Sequence, residues 1–167
     1  DLHSFPTRRS SDLSSYMVDW GREKLFYHLI NKDNFGLSFV RQAITDNWSH
    51  VFIADTLIDN RFQYSNKSTA YICPLYLYPE DGSFDTERRP NLDATIWAQI
   101  NAAIGKPTSP EDIFDYIYGV LHSPAYRTKY KEFLKVDFPR IPYPTSAEEF
   151  EHFRSHGNRL RELHLMH

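Results

Sequence analysis

The sequence predicts an α+β fold: a small mixed sheet in the N-terminal half, followed by a helical C-terminal half containing a helical hairpin. Three observations carry this expectation. Strand-like runs at residues 36–42, 50–55 and 71–78 all precede residue 80. Capped amphipathic helix patterns, apart from one opening helix, all follow residue 90. The two kinds of segment therefore do not alternate, as a doubly wound parallel sheet would require. With 41% hydrophobic and 16% aromatic residues among 167, the chain can build a real core, and a domain of this size buries about 68–70% of its unfolded surface.

Taken in order, Trp20 to Lys32 reads as an opening helix with Leu25, Phe26 and Leu29 inward. Gly36 to Gln42 is apolar at most positions and His50 to Asp55 alternates, so both read as strands. Tyr71 to Tyr78 is the strongest strand, rich in aromatic and aliphatic residues, and Pro74 places it at an edge or at a bulge. Residues 79–90 form a charged loop. Asn91 or Asp93 then opens a helix that Gly105 closes.

Ser109-Pro110-Glu111-Asp112 supplies an N-cap, a proline at the first helical position and an acid three residues after the cap. Ile113, Phe114, Ile117, Val120 and Leu121 follow at helical spacing. Ser123-Pro124 restarts the pattern for a second helix carrying Tyr126, Tyr130, Phe133 and Leu134, which completes the hairpin. Asp137 to Pro144 contains prolines at 139, 142 and 144; lacking their donors, it should run extended along an edge or over a surface. Thr145 with Glu148 is expected to cap a last amphipathic helix carrying Phe150, Phe153, Leu160 and Leu163.

Residues 1–13 stand apart. His3 to Leu13, HSFPTRRSSDL, is what one reading frame of a widely used sequencing-adapter oligonucleotide translates to, so this stretch is expected not to be native and is set aside from the fold. Without it the formal charge stays at −3, because Arg8 and Arg9 offset Asp1 and Asp12. The single cysteine, Cys73, precludes an intrachain disulfide and suits a reducing, cytoplasmic compartment. Its apolar surroundings suggest a buried structural thiol. No apolar run approaches the roughly 20 residues of a membrane-spanning helix.

Catalytic signatures are missing from the sequence. It has no phosphate-cradling glycine loop, no G-x-S-x-G elbow, no H-E-x-x-H and no cysteine pair spaced for zinc. Nor does it have an Asp/Asn-Pro-Pro-aromatic tetrapeptide to hold a flipped adenine. His152 with His156, and His164 with His167, have the spacing of helix-borne metal pairs, but neither has an evident third ligand. No catalytic, cofactor-binding or metal-binding residue is therefore expected. His122, ending a helix, is expected to act as a C-terminal cap favoured by partial protonation.

Charge points elsewhere. A net charge of −3 is unusual for an autonomous DNA-binding module, yet the charge is uneven. Arg127, Lys129, Lys131, Lys135 and Arg140 face only Glu132 and Asp137 in their stretch, and Arg88 and Arg89 lie in a loop ahead of a helix. Such side chains either track a phosphate backbone or form a solvated helix face. Base readout needs paired donors and acceptors. Candidates beside strand ends and turns are Arg41, Gln42, Ser49, His50, Asn60, Arg61 and Gln63, with Lys67 beyond them, although Asn and Asp also serve ordinary turns. Trp48 could stack on or wedge between bases, or lie in the core.

Six segments in fixed order carry a resemblance: NFGLSFVRQ at 34–42, WSHVFIADTLID at 48–59, YICPLYLYP at 71–79, RRPNL at 88–92, the 109–144 run, and LRELHLM at 160–166. Together they resemble the C-terminal target-recognition domain of type ISP restriction-modification enzymes, the single-polypeptide ATP-dependent kind. The resemblance implies that residues 14–167 form a specificity domain that recognises double-stranded DNA. It implies an adenine methyltransferase domain upstream as partner, with a nuclease and a helicase-like ATPase. S-adenosylmethionine, ATP and magnesium would then serve those upstream parts. Two other readings stand beside it: the specificity domain of a solitary adenine methyltransferase, and a non-catalytic protein-interaction module, which predicts no salt-dependent DNA affinity.

Overall fold

Three short strands, β1 (Gly36–Val40), β2 (Val51–Ala54) and β3 (Ala70–Pro74), form a sheet in the order β2-β1-β3. The computed structural model describes residues 23–45, 47–59, 69–80, 82, 84 and 86–166. Every pairing among the described strands is antiparallel, with Ser38 opposite both Phe52 and Ile72, and Phe39 opposite both Val51 and Tyr71. Alternation along the strands divides the core in two. Ala54, Ala70 and Ile72 pack on Phe26, Leu29 and Ile58, whereas Leu37, Val51 and Ile53 belong to the larger core shared with the helices. Burial on both faces explains why β1 is apolar at most positions.

The apolar run from Tyr71 to Tyr78 divides at the buried Leu75. Its N–H donates to the Phe35 carbonyl and its own carbonyl accepts from the Asn91 N–H, both at 2.8 Å. Beyond it β4 (Tyr76–Leu77) pairs with β5 (Arg89–Pro90), so the end of the expected 79–90 loop is a strand. Pro74 ends β3, which is an edge strand, and this is the kind of position a residue without a donor tolerates.

The opening helix is shorter than its periodicity suggested. α1 spans Glu23–Phe26, and residues 20–22 of the expected helix lie outside the described residues. After Phe26 the Leu29 N–H bonds back three residues to the Phe26 carbonyl, and Asn31 takes a left-handed φ of 53°. Asn34 supplies the competing interaction: its Nδ2 donates to the carbonyls of His28 and Tyr76 at 2.8 Å each, and its Oδ1 accepts from the Tyr76 N–H at 3.1 Å. A buried amide thus ties the turn to β4 in place of a continuing helix.

The helical half follows its caps closely. α2 (Ala94–Ile104) starts at Asp93, whose carboxylate accepts from the Ile96 N–H, and ends at Gly105 with φ 71°. α3 (Pro110–His122) begins with the reciprocal Ser109/Asp112 capping box. Ser123 ends α3 and caps α4 (Pro124–Lys129), and Tyr130 separates α4 from α5 (Lys131–Leu134). α6 (Ala147–His164) is capped one residue later than expected, by Ser146, whose Oγ accepts from the Glu149 N–H. Thr145 instead donates its N–H and hydroxyl to the Glu149 carboxylate, at 2.7 and 2.6 Å. Phe114, Tyr116, Tyr118, Leu121, Leu134 and Phe150 are buried between these helices and the sheet.

Residues 137–144 run extended over that core, without a ladder. Phe138 meets Phe39 and Tyr71 edge-on, at centroid distances of 5.9 and 5.2 Å. The Tyr116 hydroxyl donates to the Pro142 carbonyl at 3.0 Å, and the Tyr126 hydroxyl to the Arg140 carbonyl at 2.9 Å. Cys73 departs from its expectation: along β3 the alternate residues Ala70, Ile72 and Pro74 are buried, whereas Tyr71 and Cys73 face the other way and are exposed. Partial desolvation by its neighbours still pushes its pKa up.

Candidate nucleic-acid interface

At the end of β1, Arg41 and Gln42 leave the sheet and meet the chain emerging from α5. Gln42 Nε2 donates to the Val136 carbonyl at 2.7 Å. Arg41 Nε lies 3.4 Å from Asp137 Oδ1, and a terminal nitrogen of Arg140 lies 3.9 Å from Asp137 Oδ2. The two guanidinium groups also rest near aromatic rings, Arg41 at 5.6 Å from the centroid of Phe138 and Arg140 at 5.0 Å from that of Phe133. The Phe138 amide, and then Arg41, hold the Asp137 carboxyl below its usual range, so it is ionised at neutral pH. Local folding sets this up, because the Val136 and Asp137 amides both bond back to the Phe133 carbonyl as α5 ends.

Two other cationic candidates are engaged by groups of the protein itself, Arg127 partly buried and Arg88 exposed. Arg127 donates from Nε to the Leu121 carbonyl at 2.7 Å, approaches His122 Nδ1 at 3.2 Å, and lies 5.6 Å from the ring of Trp48. Trp48 is only 5% exposed. These two residues therefore come together as the lining of the α3 C-terminus. Arg88 Nη1 donates to the Asp33 carbonyl, reaches the Asp33 carboxylate at 3.3 Å and the Tyr78 hydroxyl at 3.2 Å, and the guanidinium sits 4.1 Å from the Tyr76 ring centroid.

Several candidates lie nearer the surface. Arg89 is exposed in β5, Lys129 is exposed with its ammonium 5.4 Å from the Tyr130 ring, and Lys131 is partly buried at the start of α5. Ser49 is exposed and His50 partly buried ahead of β2. Asn60, Arg61, Gln63 and Lys67 lie outside the described residues. Asp137 and Arg140 stood in the sequence as members of the charged stretch from Arg127 to Arg140, whereas their meeting with Arg41 was not legible there.

The histidines behave as fold elements. Burial, then Arg127 and His164, push the pKa of His122 down to about 4, so the imidazole is neutral and the protonated C-terminal cap expected from the sequence does not form. Arg127 takes over at that carbonyl end. His164 Nδ1 is 2.6 Å from the Tyr118 hydroxyl, and His156 Nδ1 is 2.7 Å from the His152 carbonyl. His167 lies outside the described residues. Among the described residues no group of three or more His, Cys, Asp or Glu side chains is placed to hold a metal ion.

Acids gather instead at helix starts: Asp93 at α2, Glu111 and Asp112 at α3, Glu148 and Glu149 at α6. The dipole favours them there. Away from the helix starts, Arg41 and Arg140 converge on the Asp137 carboxylate.

No curated protein sequence matches the chain. Among solved structures, a cryo-EM DrdV–DNA complex is similar at 30% identity and a TM-score of 0.62, over 78% of this chain and 12% of that one. The ATP-dependent Type ISP restriction-modification enzyme LlaBIII bound to DNA is similar at 25% identity and a TM-score of 0.62, over 80% and 8%. A nuclease-deletion mutant of the Type ISP enzyme LlaGI with a DNA substrate mimic gives 28% and 0.57, over 80% and 10%. The matched region therefore spans about a tenth of the length of those proteins. A family model, the Type ISP C-terminal specificity domain, matches residues 6–167. This chain belongs to the Type ISP C-terminal specificity domain family.

Proposed function

We propose that this chain recognises a sequence in double-stranded DNA and positions an adenine methyltransferase domain, encoded upstream in the same polypeptide, over its target base. Membership of the specificity-domain family carries the reading, and relatives solved with DNA support it. Exposed cationic side chains such as Arg89 and Lys129 are candidates for phosphate contact on a chain of net charge −3. Chemistry is assigned to parts of the parent outside this chain: methyl transfer using S-adenosylmethionine, and ATP- and magnesium-dependent restriction. The work of this domain is contact energy. Extruding an adenine costs a few kcal/mol of unstacking, which duplex contacts must offset while they discriminate sequence. A cytoplasmic location follows from the same reading, and no helix among the described residues is long and apolar enough to cross a membrane.

The test is a titration of a fluorescent duplex with the purified chain, followed by anisotropy between about 50 and 200 mM salt. Affinity that falls linearly on a double-logarithmic plot is the expected result. Absence of binding at the lowest salt would remove the DNA reading and leave the protein-interaction module.

A further inference from the structure

We propose that the connection between β1 and β2 is a base-reading loop, with the Asn47 carboxamide bonded to the edge of an adenine in the major groove and Ile44 packed on the methyl of a thymine. The proposal rests on the DNA-binding reading above and adds which residues discriminate sequence.

β1 and β2 pair directly, with Phe39 opposite Val51, so a turn of about 2–5 residues would suffice to join them. Residues 41–50 do so instead, and the described part of this connection, 41–45 and 47–50, is tied down at both ends. Ala43 and Trp48 are 2% and 5% exposed and belong to the main core. Gln42 Nε2 donates to the Val136 carbonyl. The Arg127 guanidinium lies 5.6 Å from the Trp48 ring, while its Nε holds the Leu121 carbonyl. Between these anchors the Thr45 N–H bonds back to the Ala43 carbonyl at 2.9 Å, and the Asn47 N–H donates to Thr45 Oγ1 at 3.3 Å. The loop backbone is thus fixed from within.

Two of its side chains are left to the outside. Ile44 is 57% exposed. The Asn47 carboxamide is exposed and has no hydrogen-bond partner among the described residues. Folding gains little from either group, whereas base edges use both. A carboxamide places donor and acceptor side by side, the match to adenine N7 and N6, and an aliphatic side chain fits the thymine methyl. Both features lie in the major groove, which is wide enough to admit a two-stranded β-ribbon such as the end of β1 and β2. An anchored loop has already lost much of the freedom that binding would otherwise remove. Trp48 serves this arrangement as an anchor, because its ring is spent on the core.

Selection from a pool of randomised duplexes by the unsubstituted chain, followed by sequencing of the bound fraction, defines the preferred site. Affinities for that site and for an unrelated duplex are then compared among the unsubstituted chain, Asn47→Ala, Asn47→Asp, Ile44→Ala and, as a control exposed on α2, Gln99→Ala. Asn47→Ala should weaken the preferred duplex about tenfold, within the range of one bidentate base contact, and change the unrelated duplex by less than about twofold. Asn47→Asp should move the preference at one position from adenine to cytosine, because a carboxylate accepts from cytosine N4. Ile44→Ala should weaken the preferred duplex several-fold. Replacing the thymines of the site by uracil in turn, which deletes one methyl at a time, should find a position that costs the unsubstituted chain as much and Ile44→Ala nothing further. Gln99→Ala should match the unsubstituted chain, and thermal melts establish that each variant is folded. An unchanged preferred site in both Asn47 variants would overturn the proposal. Equal losses on the two duplexes would do the same, since a base contact acts on one sequence only. Binding without any preferred site would sink the reading loop while leaving DNA binding intact, whereas failure of the unsubstituted chain to bind any duplex would remove the DNA reading itself.

Discussion

Gly119 on α3 and Gly157 on α6 bring their helix backbones into direct contact. A Cβ built on Gly157 would stand 1.8 Å from the Asp115 carbonyl oxygen and 2.9 Å from the Gly119 nitrogen, and one on Gly119 would stand 2.1 Å from the Phe153 carbonyl oxygen. The obstacles are backbone atoms, which cannot rotate aside as a side chain would.

Gly157→Ala is therefore expected to destabilise the protein by roughly 2–3 kcal/mol, because overpacking forces the helices apart. The sign is the informative part. In an exposed helix the same change gains about 1 kcal/mol from helix propensity. Urea denaturation of Gly157→Ala and Gly119→Ala reads the difference, and a neutral or stabilising result would mean that the helices do not meet at this crossing.

Next to that crossing, Asp115 is 2% exposed and is held by Arg161 at 2.7 and 3.1 Å and by Asn158 at 3.2 Å. Replacing Arg161 with Leu strands a buried carboxylate, and losses of about 3–5 kcal/mol are typical when one partner of a buried pair is removed. Adding Asp115→Leu should restore much of that stability, because the pair as a whole is close to neutral against apolar replacement. A double-mutant cycle measures the coupling, and additive losses would show that the two residues act independently.

Features written in local grammar were legible in the sequence: Ser109 with Asp112, Asp93, Gly105, and the restart at Ser123-Pro124 all sit where the caps required. Pro74 marked an edge for the reason a missing donor gives. Features that depend on which distant groups meet were not legible. The periodicity of the opening helix ran on past Phe26 because nothing local announces that Asn34 will claim the His28 carbonyl. Arg127 and Lys129 look alike in a basic run, yet one is drawn inward to the end of α3 and the other stays at the surface. The partnership of Arg41 with Asp137 spans 96 residues and has no short-range signature. Glycines inside helices at 119 and 157 were the one available hint of close backbone approach, since Gly lowers helix propensity without some such return.

Acid stability should depend on His122. Its folded-state pKa is near 4 against an ordinary 6.5, with burial the main cause and Arg127 and His164 behind it. Between those values the unfolded chain binds the proton that the folded chain refuses, so stability rises with pH through that window and levels off above about 6.5. Allowing for partial exposure of the ring, the loss on acidification is about 1–2 kcal/mol. His122→Gln should flatten this limb of the stability curve between roughly pH 6.5 and 4, and a curve as steep as that of the unsubstituted chain would place the titrating group elsewhere.

The extended segment that carries Arg140 is pinned by two phenols. Burial raises the pKa values of Tyr116 and Tyr126 to about 12, so both hydroxyls stay protonated and keep donating to the carbonyls of Pro142 and Arg140. Prolines at 139, 142 and 144 give the segment few amides of its own with which to hold on. Tyr116→Phe and Tyr126→Phe should each cost about 1 kcal/mol, the net worth of one hydrogen bond. The larger effect is local: amide exchange at Phe138, Arg140, Ile141 and Tyr143 should quicken while the cores of α3 and α6 remain protected. Unchanged exchange in the segment after both substitutions would show that Phe138, packed against Phe39 and Tyr71, holds it unaided.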